Sequence, residues 1–217
     1  MQVLLNFIGM ARSKFPFLGG ISGKIGPIVA FVRYDKQFVR IHTIPRDPKT
    51  TAQLAQRAKL TLVNKGLSPL NKVIKQNYPN NSGAYRSLVG KTIREFVVGE
   101  YPNLSIDYSK IQIAEGRLLL PEPVTAAFNP DSNQVSFNWD TQQTTTSKWC
   151  RADDMVHIVI FNAPTLTVFK SPGIVKRFAG MASVELPKGW DPPHTHCWIY
   201  LSSHDHEQNS NSLYVKI

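Results

Sequence analysis

With 217 residues, 42% of them hydrophobic and 18% charged, the chain has the composition of a globular protein able to bury a core, neither disordered nor fibrous. No apolar run approaches the ~20 residues that span a bilayer, and two cysteines, Cys150 and Cys197, are too few for a disulfide scaffold or a Cys-rich zinc module. The net charge of +10 is uneven: residues 1–110 hold 17 Lys and Arg against 5 Asp and Glu, whereas residues 111–217 hold 8 against 10.

That seam predicts two modules, a basic one over 1–110 and a nearly neutral one over 111–217, with the basic module facing something anionic. At the amino terminus, residues 3–8 form an apolar patch that Asn6 interrupts, with no cationic stretch ahead of it. A secretory signal needs a charged start and an unbroken apolar run of about 7–15 residues. The expected location is therefore the cytoplasm, with export by another route or incorporation in a particle as the open alternatives.

Residues 15–26, FPFLGGISGKIG, are glycine-rich and predict an ordered turn or tight backbone packing. A hairpin signal follows, with strands over 28–33 and 38–42 around the polar Tyr34-Asp35-Lys36-Gln37. Pro45 and Pro48 close it. Thr50 with Gln53 forms a capping-box pattern, and Leu54, Ala58 and Leu62 mark one face of the helix that it opens, with Gly66 as its stop. Ser68-Pro69 restarts a second short helix. A third, from Ser82, carries Tyr85, Leu88, Val89, Thr92, Ile93 and Phe96, and ends at Gly99 and Pro102.

After Asp107 the period changes to two. Residues 111–113 and 117–120 predict short strands about a Glu115-Gly116 turn. Seven further strands are expected over 125–128, 134–140, 155–161, 166–169, 182–186, 197–202 and 213–216. Seven short strands without a repeat outline a fibronectin III or immunoglobulin-like β-sandwich. The expected fold class is α+β: a basic β-hairpin plus about three helices, then that sandwich.

Several stretches in order resemble one family: GGISGKIG (19–26), QLAQRAKLTLVNKGLSPL (53–70), YPNLSIDYSKIQIAEGRL (101–118) and SNSLYV (210–215). The chain is similar over residues 10–217 to the uncharacterised Bacteroidota family catalogued as domain of unknown function 6266. The resemblance implies an amino-terminal glycine motif, central helices and a carboxy-terminal β-sandwich, and it brings no catalytic residue. Members usually begin at a Met-Ala-Arg like Met10-Ala11-Arg12, so residues 1–9 read as an upstream extension or a misassigned start. Where the family often has Trp and Gly around the hairpin, this chain has Phe31 and Tyr34-Asp35-Lys36-Gln37.

GGISGKIG is not a phosphate loop. A Walker A loop needs Gly where Leu18 stands and Ser or Thr where Ile25 follows Lys24. No GxSxG elbow is present, and Glu115, Glu122 and Glu185 are isolated acids rather than a paired set. His196 and His204 would lie ~26 Å apart along a straight strand, too far to share a metal. The loop bearing His204 and His206 would share one end of the sandwich with Cys150, so Cys150, His204 and His206 form the one conceivable N/O/S metal set. The same strand order places Cys150 and Cys197 at opposite ends, too far apart to pair.

Arg33, Tyr34, Lys36, Phe38 and Arg40 around the hairpin mix phosphate-contacting cations with base-stacking rings. Arg57, Lys59, Lys65, Lys72, Lys75, Arg86, Lys91 and Arg94 decorate the helices, where they equally suit a solvent face. The expectation is a non-catalytic binding or structural protein, without a cofactor. Its sandwich would meet a protein or glycan partner, its basic module would dock on an anionic surface or assembly, and self-association is a further option. The alternative is a nucleic-acid-binding protein acting through the hairpin and helices. A metal-dependent enzyme built on the His204/His206 loop is a distant third.

Overall fold

The computed structural model describes residues 10–13, 22–44, 46–78, 81–141, 148–171 and 174–217. The architecture is α+β and mostly antiparallel β. It divides into two compact units, Met1–Lys49 and Thr50–Ile217. The seam in charge near residue 110 therefore falls inside the second unit. Among the described residues no helix is long and apolar enough to cross a membrane.

The first unit is one antiparallel sheet of β1 (Met10–Ser13), β2 (Gly23–Ile25), β3 (Ile28–Arg33) and β4 (Lys36–Ile41), in the order β1-β4-β3-β2. Two-residue turns set its register. Gly26 turns β2 into β3 at φ +57°, where glycine meets no steric cost. Tyr34 and Asp35 turn β3 into β4 at φ +52° and +55°, the left-handed geometry that matches strand twist. The turn is thus two residues long rather than four, and Lys36 and Gln37 belong to the strand. Of the glycine-rich segment, residues 15–21 lie outside the described residues, and Ser22 to Gly26 lead into β2 and its turn.

The second unit opens with α1 (Thr51–Leu67), whose capping box forms as expected. Gln53 N–H donates to Thr50 Oγ1 at 3.4 Å, and Thr50 N–H donates to Gln53 Oε1 at 3.3 Å. A 3-10 turn (Ser68–Leu70), α2 (Asn71–Asn77), α3 (Ala84–Lys91) and a π-helical turn (Thr92–Phe96) follow. The stripe Leu54, Ala58 and Leu62 stays half-exposed, and Val63, Gly66 and Leu67 enter the core instead. Gly66 does not stop the helix. A Cβ there would lie 2.6 Å from Tyr108 Oη and 2.7 Å from Ile106 Cδ1, so the glycine permits close packing.

After the ribbon of β5 (Val97–Val98) and β6 (Ser105–Ile106), seven strands build two antiparallel sheets. They are β7 (Val124–Asn129), β8 (Gln134–Trp139), β9 (Met155–Asn162), β10 (Thr167–Lys170), β11 (Met181–Glu185), β12 (Thr195–Ser202) and β13 (Leu213–Val215). One sheet has the order β11-β8-β7, the other β10-β9-β12-β13. Val135 and Phe137 of β8, with Ala182 and Val184 of β11, share one core with Val156, Ile158 and Ile160 of β9 and with Ile199 and Leu201 of β12. The opposite face of β9 and β12, Val159, Phe161, Trp198 and Tyr200, packs with Val63, Leu67, Ile74 and Leu88 of the helices in a second core. Burial on both faces explains the near-continuous apolar run of β9.

The strands expected over 111–113 and 117–120 do not form. Ile111, Ile113 and Ala114 fill the helix-side core as an irregular segment. Its polar backbone is satisfied from the β12–β13 connection, where Ser212 Oγ accepts from the Ile113 and Ala114 amides at 2.8 and 3.3 Å. Alternating apolar residues suit a segment wedged between helices and sheet as well as they suit a strand. A buried charge pair joins the segment before β9 to the turn before β11: Arg177 Nη2 and Nε donate to Asp154 Oδ2 at 3.1 and 3.3 Å, both side chains 1% exposed. Arg177 Nη2 also donates to Leu119 O, and Trp139 Nε1 donates to Arg177 O at 2.7 Å.

Candidate functional site

The register of the first unit's sheet gathers residues that are scattered in sequence. Phe31 pairs with Phe38, Arg33 with Lys36, Val29 with Arg40, and Lys24 with Val29. Directly opposed residues share a face, so Lys24, Arg33, Lys36 and Arg40 stand on the same side as Phe31 and Phe38. The two phenyl rings stack with centroids 5.4 Å apart and planes 13° apart. All four cations are exposed, and none forms an ion pair among the described residues. Tyr34, 80% exposed at the turn, takes the Arg33 guanidinium 5.1 Å from its ring centroid.

All five hairpin residues singled out from sequence therefore lie together, four on one face and Tyr34 at its end. Sequence reading missed Phe31 and Lys24. The signal that could have found them is turn length: a two-residue turn at Tyr34-Asp35 puts Phe31 opposite Phe38. The other face is apolar. Ile25, Ile28, Val32 and Ile41 are 41–50% exposed there, around buried Ala30 and Gln37. The helical cations belong to the second unit, on the sides of the helices away from its core.

His204 and His206 are exposed in the loop after β12, whereas Cys150 is buried. Among the described residues no group of three or more His, Cys, Asp and Glu gathers as a metal site. His206 Nδ1 instead lies 3.3 Å from Ser202 Oγ, which is 2.8 Å from Nε2 of buried His157. Among the described residues neither cysteine is in a disulfide, and Cys197 pairs in register with Ile160, towards the end of β9 away from Cys150. Burial pushes the Cys197 thiol up to about 12, which keeps it protonated and unreactive.

Ser202 is buried, and among the described residues His157 Nδ1 has no hydrogen-bond partner and no carboxylate orients the ring as in an acyl-transfer triad. Burial, then the nearby Lys170 and His206 charges, lower His157 to about 4. Its ring stacks on Tyr200 with centroids 4.9 Å apart.

Residues 20–216, nearly the whole chain, match the model of a family of unknown function (DUF6266). The chain belongs to that family. No curated protein and no solved structure matches it. For this DUF6266 member the functional reading comes from its own geometry.

Proposed function

We propose that this DUF6266 protein is a non-catalytic binding protein that docks on an anionic partner through its amino-terminal sheet. One observation carries the reading: Lys24, Arg33, Lys36 and Arg40 share a face with the stacked Phe31 and Phe38. Residues 1–49 hold eight Lys and Arg against two Asp and Glu, so the surrounding field favours anions as well. The second unit serves as the scaffold for a protein or glycan contact. Its sheet membership supports a fibronectin III-like sandwich, with the first, second and fifth of its seven strands in one sheet and the others in the second.

The test is fluorescence anisotropy of the whole chain against labelled heparin and labelled single- and double-stranded DNA and RNA, across a salt series. Four phosphate contacts predict a log–log salt slope of roughly −3 on single strands. The Arg33→Glu/Lys36→Glu/Arg40→Glu variant should lose binding, since all three side chains are exposed and none is in an ion pair among the described residues. Absence of binding at moderate salt, or equal binding by the variant, defeats the reading. The aromatic pair favours a second, narrower version in which the anion is a single-stranded nucleic acid with bases on the rings. Preference for single strands over heparin at matched salt separates the two.

A further inference from the structure

A cleft of about 500 Å³ opens in the second unit, where four separate stretches of chain converge. Tyr78 closes the end of α2, Glu115 and Arg117 flank a bend, Trp149 precedes β9, and Glu207 and Gln208 follow β12. The volume falls within the range of small-molecule sites. Its walls are stitched to one another. Leu118 N–H donates to Asn209 O at 3.1 Å, and Gly116 N–H donates to Asn211 Oδ1 at 3.2 Å. Asn209 Nδ2 donates to Asn77 O at 3.3 Å. A Cβ on Gly116 would lie 1.8 Å from Asn209 O, so glycine is required for this closure. Tyr78 Oη donates to Gln112 O at 3.2 Å, which fixes its ring.

The chemistry of the lining selects the ligand. Glu115 and Glu207 carry two negative charges, and Arg117 with neighbouring Lys148 carries two positive ones. None of the four is in an ion pair among the described residues. The two cations instead lie over the Trp149 ring, 5.7 and 5.3 Å from its centroid. The lining itself holds two carboxylates and one guanidinium, with the Lys148 ammonium beside it, so it presents no single-sign field to an ion. Among the described residues the lining contains no aliphatic side chain to seat the apolar anchor of a peptide. It offers half-buried aromatic rings, carboxylate acceptors, and guanidinium and amide donors. A neutral molecule with many hydroxyls and flat C–H faces uses all of these at once.

We infer that this cleft binds a neutral saccharide, its hydroxyls held by Glu115, Glu207, Arg117 and Gln208 and a ring face resting against Tyr78. The inference rests on the glycan-partner half of the reading above and does not involve the amino-terminal sheet. The experiment is affinity electrophoresis of the whole chain through native gels cast with xylan, mixed-linkage β-glucan or galactomannan, run beside a polysaccharide-free gel. At least one polysaccharide should retard the protein. The Glu115→Ala/Glu207→Ala variant should bind it at least about tenfold more weakly, as expected for lost hydrogen bonds to charged acceptors. Both side chains are exposed, so unchanged circular dichroism should show the variant folded. The Arg33→Glu/Lys36→Glu/Arg40→Glu variant should be retarded as the parent is. Overturning outcomes are no retardation in any gel, equal retardation of the double variant, or retardation lost only with the sheet variant. Failure here leaves the anionic docking of the sheet standing, because that is read by salt-dependent anisotropy.

Discussion

Arg177 is wholly enclosed, and its charge survives there because Asp154 and Leu119 O absorb its donors. Removing one member of such a pair leaves the other buried and uncompensated, which costs about 3–5 kcal/mol. Arg177→Met and Asp154→Leu should each lose about that much in guanidinium unfolding, and the double variant should lose well under the sum. Additive losses would mean the two charges are not coupled. His157 makes a different demand, since its imidazole is buried neutral at about 4, below the ordinary value near 6.5. The unfolded chain takes up a proton between those values and the folded chain does not. His157 therefore contributes stability that is whole above about pH 6.5 and lost as pH falls towards 4, up to roughly 3 kcal/mol. Urea unfolding at pH 7 and pH 4.5 should show a smaller acid loss for His157→Gln than for the parent. Equal losses would place the acid sensitivity elsewhere. His196, also held low by burial, would be the next group to replace.

At the scale of elements, the seven strands from β7 to β13 were legible because alternation and turn residues act locally, and each forms within two residues of its expected bounds. The capping box at Thr50 and Gln53 was legible for the same reason. What escaped depends on contacts distant in sequence. Gly66 looked like a helix stop, yet its role is set by Tyr108 and Ile106, some forty residues away. Residues 111–120 alternate like a strand, and only Ser210 and Ser212, a hundred residues on, decide otherwise. The hairpin face was half legible: Arg33, Lys36 and Arg40 were visible, but the place of Lys24 and the partnership of Phe31 with Phe38 each hang on a turn length. The cleft was not legible at all. Glu115 stood out only as an isolated acid, because its neighbours Tyr78, Trp149 and Glu207 come from three other parts of the chain.

At the scale of the whole molecule, charge and cohesion divide the chain in different places. Charge reports the surface, and the helical cations sit on faces turned from the core, so the balance changes near residue 110. Cohesion reports what is buried, and the helices cover Val159, Phe161, Trp198 and Tyr200 on the outer face of β9 and β12. Cutting at 110 would return those four side chains to water at about 1.5–3 kcal/mol each. The total is comparable with the entire stability of a domain, about 5–15 kcal/mol. A 111–217 fragment should therefore associate, bind a hydrophobic dye or lose its near-ultraviolet dichroism. A 50–217 fragment keeps both cores and should unfold in one cooperative transition with the tryptophan signal of the whole chain. If the shorter fragment instead remains monomeric and unfolds cooperatively, the sandwich is self-sufficient and the helices are an accessory layer. The decisive quantity is then the free energy of burying one sheet face, not the change in charge along the chain.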